Sequence, residues 1–411
     1  MNMKMTRFLN VVLSSCLAVS AFGAPYDLVD LGELGAPSYG FDINNQGEAV
    51  GYYITTNNVT RGWFFNGSLM DIGTLDVDNS SLSTRLLEIN NAGMAVGYGS
   101  KVIDIDGVST LVNVPIIYQN GVLTEVAPPA GHNDAFLLGL NHNDLYAGYV
   151  RESTEINGQA VSLSRAAVLD RRNGNDLYTV VGTLRADGTG SSTFRAISDN
   201  NIAVGWSSND SDNGTHAVYY DVDNQQLVDI GTLGGLQGAA TAINSAGLIV
   251  GDSTVENETY RSPFKYQIGV DDALVALPVL NEAIPNGRAF GVNENGEIVG
   301  WTTFERVEGS ERGHAVLWKN GEVIDLNNQI DCQLGWTLLE ARGINDQGQI
   351  VGTGLKDGQL RAFLLTPNPN GGAGEVCQAP GESPRHYTID GGSVTWFMLV
   401  VLGLVFRRRT Q

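Results

Sequence analysis

The stretch that decides the fold is "INDQGQIVG", residues 344–352, because close copies of it recur along the chain. Four of them, "INNQGEAVG", "INNAGMAVG", "INSAGLIVG" and "VNENGEIVG", begin at Ile43, Ile89, Ile243 and Val292. Two more divergent copies, "LNHNDLYAG" and "ISDNNIAVG", begin at Leu140 and Ile197. The second positions of the seven copies lie 46, 51, 57, 46, 49 and 52 residues apart. A period of about 50 residues that fills the chain indicates a repeat architecture.

Each nonapeptide has the pattern of a tight turn between two strands. The second position is Asn in six copies and Ser198 in the other, and Gly follows three residues later in five of them. Asn can bond its own backbone, and Gly readily adopts the positive φ that a bulged hairpin turn needs. Asp144 and Asn201 replace Gly in the two divergent copies, and Asp and Asn tolerate positive φ best among the other residues. The nonapeptide therefore predicts a hairpin.

A second hairpin is predicted between successive nonapeptides. In "HAVLWKNGEVIDLN", residues 314–327, an Asn-Gly pair stands between two β-rich runs, and residues 61–73 and 114–126 follow the same scheme. Four short strands per repeat predict an all-β fold, a seven-bladed β-propeller over residues 24–366. The segment "YDLVDLG" from Tyr26 is predicted to supply the strand that the last repeat lacks and so to close the ring. A right-handed β-solenoid is the alternative.

Three recurring positions have structural interpretations. The glycine that ends each nonapeptide is expected where neighbouring blades approach closely. Small residues two places before the turn Asn are expected where inner strands crowd the axis. Acids on the presumed outer strand are expected to block edge-to-edge pairing; they are Asp30, Asp71, Glu125, Asp229 and Asp325.

The charge of the chain argues against a nucleic-acid partner. Lys and Arg number 24 against 45 Asp and Glu, for a net charge of −21, whereas phosphate binding depends on basic residues. Without the five basic residues of the two terminal segments the balance becomes 19 against 45, or −26. Such a surface suits cationic ligands, divalent ions or salty surroundings.

The N-terminus has the pattern of an export signal. Residues 1–23 carry two basic residues, an apolar run and small residues before a cleavage predicted after Gly23. A lipoprotein signal ending at Cys16 is the alternative. In an exported chain the remaining cysteines, Cys332 and Cys377, are expected to form a disulfide that fixes the C-terminal tail to the last repeat.

The sequence offers no catalytic, cofactor-binding or metal-binding residues that can be named. Gly-x-Ser-x-Gly, His-Glu-x-x-His, P-loop and Cys-x-x-Cys motifs are absent. His216 and His314 occupy one repeat position, which indicates a structural role. Acidic loops at residues 76–81, 104–107, 209–214 and 221–226 allow calcium, although none matches a full calcium loop.

Residues 314–326 and 343–352 together resemble the HAF family of bacterial extracellular repeat proteins, a family of unknown function named for a His-Ala-Phe strand. His-Ala-Val and Arg-Ala-Phe stand in that place here, and the resemblance covers roughly residues 26–366. It implies an extracellular repeat fold and contributes no catalytic residues.

After a Pro/Gly-rich linker, residues 367–390, the segment 391–411 resembles the Gly-Gly carboxy-terminal sorting signal recognised by the intramembrane protease rhombosortase. The matching positions are Gly391, Gly392 and Ser393, an apolar run over 394–406, and Arg407, Arg408 and Arg409. The resemblance implies a Gram-negative protein that crosses the inner membrane, loses its tail and reaches the cell surface or medium through type II secretion. A permanent tail anchor is the alternative.

These features predict a secreted or surface-displayed propeller that acts as a binding or scaffold module for an extracellular or surface ligand. The alternative is an extracellular enzyme, polysaccharide-active or another hydrolase or lyase, that uses carboxylates from blade loops.

Overall fold

A computed structural model describes residues 24–372 apart from residues 36, 77, 157, 212–213 and 308–309. The described chain is all-β, with two 3-10 helices, η1 (Leu326–Gln329) and η2 (Cys332–Leu334), and no α-helix within these residues. They also contain no apolar helix of membrane-spanning length. The predicted all-β class is confirmed.

The strands follow the sequence repeats. Strand β1 (Tyr26–Asp30) precedes repeat 1, which comprises β2 (Ser38–Ile43), β3 (Ala49–Ile54), β4 (Thr60–Phe65) and β5 (Leu69–Asp71). Repeat 2 comprises β6 (Thr84–Ile89), β7 (Ala95–Ile105), β8 (Val108–Gln119) and β9 (Val122–Glu125). Repeat 3 comprises β10 (Ala135–Leu140), β11 (Leu145–Ile156), β12 (Gln159–Asp170) and β13 (Leu177–Val180). Repeat 4 comprises β14 (Ser192–Ile197), β15 (Ile202–Ser208), β16 (Thr215–Asp221) and β17 (Gln226–Gly231).

The remaining strands continue the pattern. Repeat 5 comprises β18 (Gly234–Ile243), β19 (Leu248–Val255), β20 (Arg261–Gln267) and β21 (Val275–Ala276). Repeat 6 comprises β22 (Gly287–Val292), β23 (Ile298–Val307), β24 (Ser310–Lys319) and β25 (Glu322–Asp325). Repeat 7 comprises β26 (Trp336–Ile344), β27 (Ile350–Lys356) and β28 (Gln359–Pro367).

Each repeat forms an antiparallel sheet in which consecutive strands are neighbours. The sheets of repeats 4 and 5 are joined by one parallel pairing between Thr215 and Gln237. In the last sheet β1 pairs with β28, from Tyr26 opposite Pro367 to Asp30 opposite Phe363. Successive four-stranded antiparallel sheets of this kind make a β-propeller fold.

The hydrophobic core lies between adjacent sheets. One cluster combines Val50 and Phe64 of repeat 1 with Leu86 and Ile116 of repeat 2, and similar clusters lie at the following junctions. Another cluster joins Ile43 and Trp63 of repeat 1 to Val351 and Leu364 of repeat 7. Each sheet is therefore stabilised by burying apolar area against its neighbours.

The turn predictions are confirmed. The residue three positions after the turn Asn has positive φ throughout, including Asp144 at 55° and Asn201 at 60°. In repeat 1, the Asn44 Oδ1 accepts from the backbone N–H groups of Gln46 and Glu48, both at 3.0 Å.

The same asparagines also link one repeat to the next. Asn44 Nδ2 donates to the carbonyl oxygen of Asn90 at 3.0 Å, and Asn345 Nδ2 donates to that of Asn44 at 2.9 Å. Equivalent bonds run from Asn90, Asn141, Asn244 and Asn293 to the following repeat. Ser198 lacks the amide. The amide group thus closes a turn and joins two sheets at once.

The recurring glycine at the end of each nonapeptide has a different cause from the predicted one. A Cβ added at Gly97 would lie 1.9 Å from the carbonyl oxygen of Arg85, and the other six glycines meet the corresponding carbonyl at 1.9–2.1 Å. These carbonyls belong to the first strand of the same repeat, so the close approach is within a blade and not between blades. A β-bulge follows in that first strand, between Leu86 and Glu88 in repeat 2.

The small residues two places before the turn Asn do face the neighbouring inner strand, as predicted. A Cβ at Gly343 would lie 2.7 Å from the Cα of Asp42, and one at Gly139 would lie 2.7 Å from that of Ala196.

The acids on the outer strands have partners within their own sheet. Asp229 contacts His216 at 2.8 Å, Asp325 contacts His314 at 2.8 Å, Asp30 pairs with Arg361 at 2.8 Å, Glu125 pairs with Lys101 at 2.8 Å, and Asp71 accepts from the Tyr53 hydroxyl at 2.9 Å. Four of them also accept the backbone N–H two residues on, which forms the turn that follows the strand. These contacts hold the outer strand in place. The acids therefore have a structural role in addition to the predicted one of blocking edge-to-edge pairing.

Candidate functional site in the central cavity

The inner strands of the repeats surround one cavity of about 880 Å³. In each repeat the pairing of the first two strands shifts by one residue, as between Leu86 and Glu88, and leaves one residue unpaired. These bulge residues all line the cavity: Phe41, Leu87, Leu138, Arg195, Thr241, Phe290 and Arg342. The bulge therefore selects the side chains that face the cavity.

An arginine cluster occupies the wall formed by repeats 4 to 6. Asp252 is 1% exposed and is contacted by Arg261, and its Oδ1 lies 3.8 Å from Arg288 Nε. Burial would raise the pKa of Asp252, but the charges of Arg288, Arg261 and Arg195 outweigh burial and hold it below its ordinary value. Burial also lowers the pKa of Arg195 to about 10; the charge of Asp252 opposes this effect, and three neighbouring arginines add to it. Arg195 remains charged at neutral pH.

A second guanidinium lies between aromatic rings. Arg342 is 4.6 Å from the ring centroids of both Phe41 and Phe290, which is cation–π geometry. Its Nε and Nη2 donate to the two carboxylate oxygens of Glu340 at 2.8 and 3.1 Å. The bidentate pairing and the stacking together hold this side chain in one orientation.

Across the cavity, Arg85 lies against tyrosines. Its guanidinium is 4.7 Å from the ring centroid of Tyr52, and its Nη1 donates to the Tyr98 hydroxyl at 2.8 Å. Aromatic faces and fixed guanidinium groups are the surfaces on which planar or anionic ligands are bound.

Repeats 1 and 2 have a carboxyl group, Asp42 and Glu88, two residues before the turn Asn, where the other repeats have Gly or Ala. Asp42 Oδ2 accepts from the backbone N–H of Ile89 in repeat 2 at 2.9 Å. Burial raises the pKa of Asp42 to about 7. Burial, and then the charge of Asp42, raise the pKa of Glu88 well above its ordinary value. At neutral pH this pair therefore retains protons that exposed acids lose.

One mouth of the cavity is formed by the nonapeptide turns. In most repeats the side chain after the turn Asn or Ser accepts from the backbone N–H of the preceding repeat: Asn91 from Asn45 at 2.7 Å, Asp199 from His142 at 2.9 Å, Glu294 from Ser245 at 2.9 Å and Asp346 from Glu294 at 2.9 Å. The acids at this mouth thus have structural partners. No group of three or more His, Cys, Asp or Glu side chains suited to a metal occurs in the described part of the chain.

The residues singled out from the sequence lie elsewhere. Cys332 begins η2, and Cys377 lies outside the described residues, so their pairing stays a prediction. The predicted processing residues Gly23, Gly391, Gly392, Ser393, Arg407, Arg408 and Arg409 also lie outside the described residues. His216 and His314 contact outer-strand acids and are not among the residues that line the cavity.

Sequence reasoning missed the bulge residues. Their column varies in chemistry, with Phe, Leu, Arg and Thr, between two columns in which most residues are small. A position whose residue type varies within an otherwise regular repeat was the signal in the sequence that could have indicated these residues.

Three solved structures that are similar to this chain share little sequence identity with it. The β-propeller domain of the Trilobed protease from Pyrococcus furiosus is 11% identical, with 67% of this chain and 79% of that chain covered at a TM-score of 0.42. TolB from Acinetobacter baumannii is 10% identical, with 80% and 81% covered at 0.35. The gluconolactonase XC5397 from Xanthomonas campestris is 10% identical, with 86% and 93% covered at 0.34.

No curated protein sequence matches the chain. A protein-family model does match, over residues 131–361, which is more than half of the 411 residues. The chain therefore belongs to the family described as "Protein of unknown function (DUF3466)".

Proposed function

We propose that this chain is an exported binding module, a closed seven-bladed β-propeller whose central cavity binds a small ligand. The observation that carries the proposal is the cavity itself: about 880 Å³, bordered by every repeat and lined by guanidinium, aromatic and carboxyl groups. Small-molecule sites have this range of volume, with a few polar groups placed among apolar walls.

Three contacts support the closed ring. The amide of Asn345 donates to the carbonyl oxygen of Asn44, and an apolar cluster joins repeats 7 and 1. Strand β1 completes the sheet of repeat 7 by pairing with β28. Each of these joins one end of the repeat array to the other.

Export is supported by the sequence at both ends. Residues 1–23 have the pattern of a signal peptide, and residues 391–411 that of a sorting tail. The partners in processing are then signal peptidase and a rhombosortase-like protease, followed by type II secretion to the surface or medium. The ligand is an extracellular or surface molecule.

A second candidate function is favoured by Asp42 and Glu88. A carboxyl group whose pKa is about 7 can donate or accept a proton near neutral pH, as a general acid or base must. On this alternative the protein is an extracellular hydrolase or lyase whose substrate occupies the same cavity.

One experiment separates the two functions. The exported protein, expressed from the full chain, is screened for binding to a glycan and metabolite panel and for turnover of extracellular hydrolase and lyase substrates. In Leu138→Trp an indole enters the cavity and should abolish binding, whereas Leu111→Trp, at a position 64% exposed on β8, should leave it unchanged.

The outcomes are distinct. Binding without turnover, lost only in Leu138→Trp, supports the binding module. Turnover that disappears in Asp42→Asn would establish the enzyme instead. A ligand that binds equally well to both tryptophan variants would place the site outside the cavity and refute the proposal.

A further inference from the structure

One wall of the cavity carries a charge opposite to the net charge of the chain. Four guanidinium groups line its wall over repeats 4 to 7, those of Arg195, Arg261, Arg288 and Arg342. Two carboxylates, Asp252 and Glu340, contact three of them. Four positive charges against two negative leave a local excess of +2 in a chain of net charge −21.

Three of the four arginines have a carboxylate as a direct contact. Arg261 contacts Asp252 and also Gln237, and Arg288 lies 3.8 Å from Asp252. Arg342 forms a bidentate pair with Glu340. These contacts hold the three guanidinium groups in fixed positions around the cavity wall.

Arg195 is different. It is a bulge residue that faces the cavity, and among the described residues its side chain takes part in none of the hydrogen bonds, ion pairs or ring contacts. The charge of Asp252 favours its protonated form, whereas the charges of Arg288, Arg261 and Arg342 disfavour it. A partly buried guanidinium with five donors that shares one carboxylate, Asp252, with two other arginines is costly, and an anion in the cavity would reduce that cost.

We infer that Arg195, with Arg288 and Arg261 beside it, forms a subsite for one oxyanion group of the ligand, a carboxylate, phosphate or sulfate. The planar donor fork of arginine matches the paired oxygens that these three groups share. This inference rests on the proposed function, because it assigns the ligand class of the same cavity.

The rest of the molecule restricts the ligand to a small one with few charges. The nonapeptide mouth carries Asp199, Glu294 and Asp346, and the overall charge is strongly negative. A long polyanion would be repelled along most of its length, whereas a single oxyanion reaches the arginine cluster with its charge matched locally.

The test uses sodium acetate, phosphate and sulfate as probes, each titrated into the exported protein by calorimetry against chloride at equal ionic strength. At least one probe should bind saturably to the wild type. Arg195→Gln should weaken that binding by about tenfold or more, because it removes charged hydrogen bonds. Arg172→Gln, at an exposed arginine that pairs with Asp170 and Asp223, is the matched control and should bind as the wild type does.

Melting temperature in chloride provides the second readout. If Arg195 is held for a ligand, Arg195→Gln should melt at about the same or a higher temperature than the wild type, because relief of the repulsion from three arginines offsets the lost attraction to Asp252. A large fall in melting temperature would show a structural arginine and overturn the inference. Equal binding of a probe to the wild type and to Arg195→Gln would also overturn the inference. So would the absence of binding for all three probes between a 50-fold molar excess and millimolar concentrations.

Failure here is separable from failure of the proposed function. A panel ligand that depends on Leu138 but is indifferent to Arg195→Gln and to competing sulfate would keep the binding cavity and remove the anion subsite. A panel ligand indifferent to both positions would remove both.

Discussion

At the scale of the residue, the turn asparagine explains why the nonapeptide recurs. Its Oδ1 closes the turn of its own repeat and its Nδ2 donates to the next repeat, at 3.0 Å from Asn293 to the carbonyl of Asn345. The first role could be predicted from the sequence because it involves only neighbours in the chain. The second could not, because its partner lies 52 residues away and is brought close only by the packing of two sheets.

Replacing one such asparagine should therefore cost more than a turn substitution. Asn345→Ala leaves the N–H groups of Gln347 and Gln349 without their acceptor and breaks the bond to Asn44. Since each lost buried hydrogen bond costs about 1–3 kcal/mol, we expect a loss of roughly 2–4 kcal/mol in denaturant unfolding. Asn175→Ala, in an exposed loop, is the control, and equal stability of the two variants would contradict the double role.

The carboxyl pair of Asp42 and Glu88 predicts how stability depends on pH. Because the folded pKa of Asp42 is raised from 3.8 to about 7, the folded state keeps a proton that the unfolded state releases between these values. The pair therefore contributes stability at low pH that is lost as pH rises through this window. For one proton the slope reaches about 1.4 kcal/mol per pH unit.

Denaturant titrations between pH 4 and pH 7 would measure this slope. In Asp42→Asn, which resembles the protonated acid, the decline of stability with pH should be smaller than in the wild type. Asp27→Asn, at an exposed position on β1, serves as the control. An unchanged slope in Asp42→Asn would show that the carboxyl is not protonated in the folded state at these pH values.

At the scale of the element, the sequence predicted hairpins well and their lengths poorly. Strands β7 and β8, β11 and β12, and β23 and β24 run for 10–12 residues, longer than the short strands expected. In repeat 2 the sequence did contain a signal for a long hairpin, because the turn pair Asp106-Gly107 follows a run of alternating residues. Both residues have positive φ in the structure. Strand length depends on how far two segments continue to pair, and a local turn signal does not fix it.

Strand β1 makes a prediction that belongs to this scale. Its residues alternate between inward and outward positions, with Leu28 packed against the core of repeat 7 and Val29 43% exposed. Leu28→Asp should destabilise the protein by about 2–4 kcal/mol, because a carboxylate then replaces a side chain of the core. Val29→Asp should change stability by about 0.5 kcal/mol or less.

Hydrogen exchange would locate the effect. In Leu28→Asp the amides of β28, which pair with β1, should lose protection first, while those of repeats 3 and 4 keep theirs. If both variants melt alike, or if β28 keeps its protection, β1 does not hold the last sheet together and the closed ring fails with it.

At the scale of the whole molecule, the sequence predicted the architecture and missed the site. The repeat period and the turn residues are regular, so they indicated an all-β fold of four-stranded units. The cavity depends on irregularity: Arg195, Phe290 and Arg342 share a column whose members meet only when the strands surround one space. No spacing in the chain reveals that convergence.

The whole chain also carries the prediction about processing, in which the segment after Gly391 is removed during export. Residues 393–406 would span about 21 Å as a helix, against about 30 Å for the hydrocarbon core, which is short for an anchor. Gly391 and Gly392 weaken the helix by roughly 1 kcal/mol each relative to Ala, at the point where an intramembrane protease needs an extended backbone. The arginines at 407–409 would hold the end on the cytoplasmic side.

Intact-mass measurement of the exported protein tests this directly. The wild-type mass should lack residues 1–23 and the C-terminal "FRRRTQ". Changing both Gly391 and Gly392 to Leu lengthens the apolar helix and removes its weak point, so that variant should stay uncleaved and cell-associated. Gly381→Leu, in the linker, should be processed as the wild type is. A mature chain that still ends in "FRRRTQ" would show that the tail is an anchor. The binding module would then act while attached to the membrane, without release by proteolysis.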